Sequence, residues 1–264
     1  MAEADPVRQR DVIDTAPAFT QEDADRLNTR FADVDVGDML AQLLASGELG
    51  NIGVVSSFGT ESAVLLHLAA EADPSIPVIF VDTLKMFDET LEYRETLIAR
   101  LGLTTTSVVQ PNAQVLADKD ESGLRWSFDP DGCCDIRKVE PLARAKQGLD
   151  GWISGRKAFQ SVTRQNLPRF EVEDGRLKIN PLGDWTKQDL EAYFEEHDLP
   201  RHPLEEQGYL SVGCAPCTSK VKPGEDPRAG RWRGWDKTEC GIHSPNNPEN
   251  QDDGDLPPGY EPAF

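Results

Sequence analysis

Four of the five cysteines in this chain of 264 residues form two close pairs, and their spacing constrains the fold more than any other feature. Cys133 and Cys134 are adjacent, whereas Cys214 and Cys217 form a Cys-x-x-Cys turn that begins 80 residues after Cys134. Such a turn lets two thiolates bind one metal centre, while a disulfide between adjacent cysteines would be strained. We therefore expect the fold to bring the pairs together in a tetrathiolate site, which suits zinc or a [4Fe–4S] cluster. A buried apolar pair beside a separate redox motif is the alternative, and spacing does not choose between the two metals.

The fifth cysteine, Cys240, lies near the C-terminal end in a glycine-rich region without helical or strand periodicity. We expect its thiol to be accessible. Neighbouring cations lower the pKa of a thiol and favour the nucleophilic thiolate, although Glu239 acts in the opposite direction. An incidental surface cysteine is the alternative. The cations near Cys240 in the sequence are Arg228, Arg231, Arg233, Lys237 and His243.

The charge balance excludes some classes of partner. With 27 basic and 47 acidic residues the chain has a formal net charge of −20, which argues against nucleic acid and an anionic membrane surface as main partners. No apolar run approaches the roughly 20 residues of a membrane span, and the N-terminal residues lack the apolar region of a secretory signal. We therefore expect a cytoplasmic protein whose cysteines are not paired as disulfides.

Short apolar runs alternate with helical patterns between residues 21 and 200, which predicts an α/β fold with a parallel sheet and helices on both faces. We divide the chain into a disordered N-terminal arm (1–20), one nucleotide-binding α/β domain (21–222) and a mobile C-terminal tail (223–264). We predict strands at 52–57, 77–81, 105–109 and 152–154, a hairpin over 169–181, and helices at 21–50, 62–72, 87–101 and after Thr186.

The first strand runs into a loop of small and hydroxyl residues and then into a helix. Backbone N–H groups of such a loop and the positive end of the helix dipole can hold an anion. The Walker A spacing is absent, and an ordinary capped turn is the alternative. Because ligands bind beyond the carboxyl ends of parallel strands, we expect Asp82-Thr83, Arg156-Lys157 and Arg164 to face the same crevice. The loop contains Ser56, Ser57, Phe58, Gly59, Thr60, Glu61 and Ser62.

With these motifs in order, the chain resembles the assimilatory adenylyl-sulfate and phosphoadenylyl-sulfate reductases over about residues 50–243. The resemblance implies the adenine-nucleotide alpha hydrolase-like fold of the PP-loop type. The motifs that carry it are Ser57-Phe58-Gly59-Thr60-Glu61-Ser62, Val81-Asp82-Thr83, Cys133-Cys134-Asp135-Ile136-Arg137-Lys138, Gly155-Arg156-Lys157 with Thr163-Arg164, Asn180-Pro181-Leu182-Gly183-Asp184-Trp185, Gly213-Cys214-Ala215-Pro216-Cys217-Thr218 and Lys237-Thr238-Glu239-Cys240-Gly241-Ile242-His243.

The resemblance also implies a reaction in sulfate assimilation and cysteine biosynthesis. Cys240 would attack the sulfur of adenylyl sulfate, release AMP and become S-sulfocysteine, and a separate thioredoxin (or glutaredoxin) would then release sulfite. The four paired cysteines resemble those of the bacterial iron–sulfur type, with a [4Fe–4S] cluster, and Lys138 resembles the lysine that links cluster and substrate charge. Lys85 stands where the family often has arginine, which keeps the charge without a bidentate fork.

The residues that we expect to bind the nucleotide are Ser56, Ser57, Phe58, Gly59, Thr60, Glu61, Ser62, Asp82, Thr83, Lys85, Lys138, Arg156, Arg164, Arg228, Arg231 and His243.

Three other functions stay open. The enzyme could prefer the 3′-phosphorylated nucleotide and release adenosine 3′,5′-bisphosphate. It could belong to the neighbouring ATP pyrophosphatases, in which case Cys240 would be dispensable. It could also be a zinc-bound interaction module without catalysis. A reductase of the 3′-phosphorylated nucleotide is expected to produce sulfite and to carry a sulfonate on Cys240, whereas an ATP pyrophosphatase or a zinc-bound module is not.

Overall fold

The computed structural model describes residues 18–160 and 167–242. Six strands and eight α-helices are distributed along these residues in the predicted alternation. The strands are β1 (Ile52–Val55), β2 (Val78–Val81), β3 (Thr106–Val109), β4 (Gly151–Ser154), β5 (Phe170–Glu173) and β6 (Arg176–Ile179). The helices are α1 (Gln21–Arg30), α2 (Val36–Ser46), α3 (Ser62–Ala72), α4 (Asp88–Leu101), α5 (Ala113–Lys119), α6 (Pro130–Cys134), α7 (Glu140–Ala145) and α8 (Lys187–Glu196).

The prediction of one helix over residues 21–50 is wrong, because the structure has two helices there. Asp35 begins the second helix as its N-cap, and its carboxylate accepts hydrogen bonds from the N–H groups of Gly37 (2.8 Å) and Asp38 (3.3 Å). A side chain that satisfies the free N–H groups of a first turn makes a new start favourable. Gly47 then ends α2 in the left-handed region, at φ 65°.

The sheet has the strand order β3-β2-β1-β4-β6-β5, and every neighbouring pair is parallel except the β5–β6 hairpin. This confirms the α/β class and the hairpin that was predicted around Asp174-Gly175. The chain adds β2 and β3 on one side of β1 and then returns to place β4 on the other side. The order therefore reverses between β1 and β4, where open α/β sheets bind their ligands.

Burial explains why β1, β2 and β4 lie in the middle of the sheet. Their residues are almost all buried, whereas β3 is mostly exposed at one edge. Helix α3, with seven buried residues, packs against α2, α4 and α8, while α7 lies against β2 and β3. No helix among the described residues is both long and apolar enough to cross a membrane.

Candidate active site

A cavity of about 230 Å³ lies at the reversal point between β1 and β4, and we call it the larger cavity. One wall is the loop that follows β1, a second is the segment Gly155–Gln160 after β4, and a third is formed by residues 210–213 and 226–242. The predicted anion loop, the basic residues after β4 and Cys240 therefore line one space.

The loop after β1 brings its hydroxyl groups and the N-terminus of α3 to this cavity. Ser56, Ser57, Gly59, Thr60, Glu61 and Ser62 all line it. The Ser56 hydroxyl accepts a hydrogen bond from the N–H of Phe58 at 3.2 Å, which tightens the turn. Phe58 itself lies outside the cavity walls. Its φ of 48° turns the ring into the core, where it is 1 % exposed and meets Phe80 edge-on at 5.4 Å.

The basic residues after β4 are already paired with carboxylates. Arg156 Nη1 donates to Glu171 Oε1 at 2.6 Å, and Lys157 Nζ lies 2.9 Å from Glu61 Oε2. The Nε of Arg156 is buried and has no acceptor within hydrogen-bond distance in the described residues. A buried guanidinium N–H without an acceptor is costly unless a ligand supplies one. This donor therefore marks the wall as suited to an anion.

Cys240, in the third wall, lines the larger cavity together with three cations. Cys240 is half-buried and lines the larger cavity with Lys138, Arg228 and Arg231. Arg228 Nη2 donates to the Thr238 carbonyl at 2.8 Å and lies 3.3 Å from Glu239 Oε2, so it braces the segment that carries the thiol. The Nε of Arg231, like that of Arg156, is buried with no acceptor in the described part of the chain.

The four paired cysteines line a second, smaller space, which we call the cysteine cavity. Cys133 and Cys134 end helix α6 just before a π-helical turn (Asp135–Val139). Cys214 directly precedes the 3-10 turn Ala215–Cys217, and Cys217 is its last residue. The fold thus brings together two pairs that are 80 residues apart in the sequence. Lys138, Arg231 and Trp232 belong to the walls of both cavities.

Burial and charge act on the four thiols in different ways. Burial raises the pKa of Cys133 to about 11 and that of Cys134 to about 12. The pKa of Cys214 is lowered, because Lys138 and the Thr83 hydroxyl at 3.2 Å outweigh its burial. Burial disfavours the ammonium of Lys138, but attraction to Cys214 and Cys240 prevails and raises its pKa.

The donor set of the cysteine cavity fits a thiolate-bound metal centre. Four sulfurs face one space, with the cations Lys138 and Arg231 beside them to offset thiolate charge. No group of three or more histidine, cysteine or carboxylate side chains within residues 18–160 and 167–242 is arranged to hold a single metal ion. The donors are those that zinc and iron–sulfur clusters both use.

The three predicted residues after β2, Asp82, Thr83 and Lys85, do not line the larger cavity. Thr83 is fully buried against Cys214, and Lys85 lines the cysteine cavity. Asp82 accepts hydrogen bonds from the Leu84 N–H and the Gln110 amide, both at 2.9 Å. The reason is topological, since β2 is one strand removed from the reversal point and Leu84, at φ 59°, turns the chain toward the cysteines. Arg164 and His243 fall outside the described residues.

Three parts of the site had no expectation from the sequence. Glu171, on the hairpin, pairs with Arg156, and residues 210–213 complete the third wall, where the Leu210 carbonyl accepts from the Thr60 hydroxyl at 3.1 Å. At Gly213 a Cβ would collide with the guanidinium of Arg231. A glycine directly before a Cys-x-x-Cys turn was the one signal available for this close approach.

Residues 51–220 match the family model described as the phosphoadenosine phosphosulfate reductase domain. The chain is 53 % identical over 192 residues to adenosine 5′-phosphosulfate reductase of Mesorhizobium japonicum, with 73 % of this chain and 76 % of that protein covered. It is 41 % identical over 196 residues to phosphoadenosine 5′-phosphosulfate reductase of Gloeobacter violaceus, with 72 % and 81 % covered. The crystal structure of phosphoadenylyl-sulfate reductase from Candida auris is similar with a TM-score of 0.66 at 28 % identity, covering 78 % of this chain and all of that one.

Proposed function

This chain belongs to the phosphoadenosine phosphosulfate reductase family, and from that premise we propose that it reduces adenylyl sulfate to sulfite and AMP. The observation that carries the proposal is that one cavity contains both an anion loop at a helix N-terminus and the thiol of Cys240. A nucleotide whose phosphate lies at the loop would share this cavity with the Cys240 nucleophile. The names of these two relatives give different nucleotides. The one with the higher identity, 53 % against 41 %, is named an adenosine 5′-phosphosulfate reductase, which favours adenylyl sulfate as the substrate.

In the proposed reaction Cys240 acts as the nucleophile. The thiolate sulfur forms a bond to the sulfur of adenylyl sulfate, the bond from that sulfur to the phosphate oxygen breaks, and AMP leaves with the bonding electrons. Lys138 and Arg231 line the same cavity and can stabilise the negative charge on the reacting oxygens. Splitting the reduction into a transfer and a release is the usual advantage of covalent catalysis.

A separate dithiol protein of the thioredoxin or glutaredoxin type would complete the cycle. One of its thiolates attacks Cys240 at Sγ, sulfite leaves, and the second thiol resolves the mixed disulfide. The reductant is thereby oxidised to a disulfide and Cys240 returns to the thiol. Such a cycle belongs to a reducing compartment, so we propose a cytoplasmic location and a place in sulfate assimilation and cysteine biosynthesis.

We propose that Cys133, Cys134, Cys214 and Cys217 hold a [4Fe–4S] cluster. The resemblance to the iron–sulfur reductases favours this group over zinc. When bound by four thiolates, the cluster would supply a fixed negative charge on the far side of Lys138 from the nucleotide. Lys138, which lines both cavities, then interacts with negative charge on two sides.

Mass spectrometry of the intact, anaerobically purified protein tests the reaction directly. After addition of adenylyl sulfate without reductant, we expect one sulfonate group on Cys240, released as sulfite when reduced thioredoxin is added. Cys240→Ser is the matched control and should carry no adduct. A chain that forms no adduct but releases pyrophosphate from ATP would instead be a pyrophosphatase.

The 3′-phosphorylated nucleotide is the second candidate substrate, because the Candida auris structure is that of a phosphoadenylyl-sulfate reductase and matches over its whole length. A competition assay with both nucleotides decides. We expect a higher kcat/KM for adenylyl sulfate, since Lys157 and Arg228 are each already paired with a carboxylate and leave little charge for an extra phosphate.

A further inference from the structure

A row of charged side chains with alternating sign runs from the larger cavity to the β5–β6 hairpin. Arg156, at the cavity, pairs with Glu171 at 2.6 Å, and Lys178 lies 3.4 Å from Glu171 and 2.6 Å from Glu173. Lys146 ends the row, 3.2 Å from Glu173 and 3.7 Å from the centre of the Trp152 ring. Lys178 is only 2 % exposed. Buried charges are costly unless they are paired, so this row is a specific arrangement.

Glu171 is the member of the row whose geometry is most restricted. Its Oε1 accepts hydrogen bonds from Arg156 Nη1 at 2.6 Å and from Asn180 Nδ2 at 3.2 Å. Lys178 stands directly opposite Glu171 in the hairpin register, which fixes the third partner. Because three different side chains hold this carboxylate, it cannot move with Arg156 if the arginine changes rotamer. Glu171 therefore limits where the guanidinium of Arg156 can lie.

The restricted position of Arg156 leaves a donor for a ligand. The Arg156 side chain is 11 % exposed and lines the larger cavity, and one of its terminal nitrogens is committed to Glu171. Its Nε is buried and lacks an acceptor among the described residues. A tetrahedral oxyanion in the cavity would supply the acceptor, and charge-assisted bonds of this kind are strong and directional.

We propose that Glu171 is a positioning residue, which holds Arg156 so that its Nε donates to the phosphate group of the bound nucleotide. The inference rests on the proposed function, because it requires an anionic nucleotide in this cavity. Fixing the rotamer before binding removes an ordering cost that the ligand would otherwise meet. Glu171 touches no reacting atom and acts through Arg156 alone.

Two substitutions separate positioning from charge. Glu171→Ala removes both the acceptor and the negative charge, whereas Glu171→Gln keeps an acceptor oxygen. We expect Glu171→Ala to raise the KM for adenylyl sulfate and the Kd for AMP about tenfold, the loss expected for one displaced charge-assisted hydrogen bond, with kcat changed less than about threefold. Glu171→Gln should restore most of the affinity. If the only effect of Glu171 is to offset the positive charge of Arg156 at the cavity, both variants will bind AMP more tightly, and the proposal is overturned.

A matched control and a double variant guard against a general loss of structure. Glu173→Ala removes the second carboxylate of the same strand, which is the closer partner of Lys178 at 2.6 Å and the partner of Lys146, whereas Arg156 keeps its own partner, Glu171. It should lower the melting temperature without changing the Kd for AMP. In an Arg156→Ala background, Glu171→Ala should have no further effect on that Kd, whereas an additional tenfold loss there would contradict the proposal. If the unsubstituted protein neither binds AMP nor forms sulfite, the proposed function fails, and this outcome is distinct from failure of the inference.

Discussion

The larger cavity and the cysteine cavity share a wall, but different groups neutralise the cations that line them. In the larger cavity Arg156 and Lys157 each pair with a carboxylate at less than 3 Å. In the cysteine cavity the buried ammonium of Lys138 is balanced by thiolates, which raise its pKa. Carboxylates are ionised at neutral pH in any case, whereas buried thiols need a cation or a metal to ionise. The cations of the larger cavity are thus neutralised by carboxylates of the polypeptide itself, whereas the charge balance of the cysteine cavity depends on what its sulfurs bind.

The strongest way to test this separation is Cys240→Ser. The hydroxyl is a far weaker nucleophile than a thiolate at neutral pH, so we expect sulfite formation to fall by more than about a thousandfold, or roughly 4 kcal/mol in activation free energy. Iron content and AMP binding should stay at the level of the unsubstituted protein, because Cys240 lies on the larger cavity and not on the cysteine cavity. Loss of iron in this variant would show that Cys240 is a metal ligand and would remove the distinction between the regions.

Cys214→Ser is the reciprocal variant. Cys214 is buried, faces the cysteine cavity and lies 3.2 Å from the Thr83 hydroxyl, so its loss should release the proposed cluster. We expect a loss of bound iron and about a hundredfold lower sulfite formation. Iron analysis and absorbance spectra measure the first effect. AMP affinity should change less than about tenfold, since the loop after β1 does not touch Cys214; a complete loss of AMP binding would mean that the cavities are one site.

Acid should act on the scaffold rather than on either cavity. His202 is fully buried, with its Nε2 at 3.1 Å from the Thr90 hydroxyl and its Nδ1 accepting from the Leu204 N–H, and burial lowers its pKa to about 4. The unfolded chain takes up this proton near the ordinary value of 6.5. His202 therefore favours the folded state above that pH, and about 3 kcal/mol of stability is lost as the pH falls toward 4.

Urea unfolding of the unsubstituted protein and of His202→Gln, measured between pH of about 7 and about 4, checks this value. Glutamine at this position does not titrate. Between these two pH values, the free energy of unfolding of the variant should therefore fall by about 3 kcal/mol less than that of the unsubstituted protein. Equal slopes for the two proteins would contradict a neutral, buried His202.

The smallest of these effects is expected at the shared wall. In Gly213→Ala the new methyl group meets the guanidinium of Arg231 and must displace it. We expect the KM for adenylyl sulfate to rise about tenfold, the cost of one misplaced charge-assisted hydrogen bond, and the metal content to change little. Gly148→Ala is a suitable control, because a Cβ there meets no atom within 4 Å. An unchanged KM would place Arg231 outside the nucleotide-binding wall.

The strands and the hairpin were predictable because each is a short apolar or alternating run bounded by turn residues. The break between α1 and α2 was not, since Asp35 lies between Val34 and Val36, no proline marks a stop, and the nearby Gly37 lies inside α2. A single N-cap side chain decided the boundary. Local sequence patterns therefore predict the ends of helices and strands well where turn residues mark them. They predict an end poorly where a single capping side chain sets it.

The site was predictable in the same uneven way. The anion loop, Cys240 and the two cysteine pairs follow from residue type and spacing. The turn of Thr83 and Lys85 toward the cysteines depends on the backbone at Leu84, and the partners of Arg156 and Lys157 lie 15 and 96 residues away. Pairing over such separations is set by tertiary packing, which no local pattern encodes.

Lys138, Arg231 and Trp232 are wall residues of both cavities, and this limits how the protein can evolve. A substitution there that suited another nucleotide would also alter the surroundings of the four sulfurs. Any selection that acts on one of these cavities therefore acts on the other through the three residues at their border.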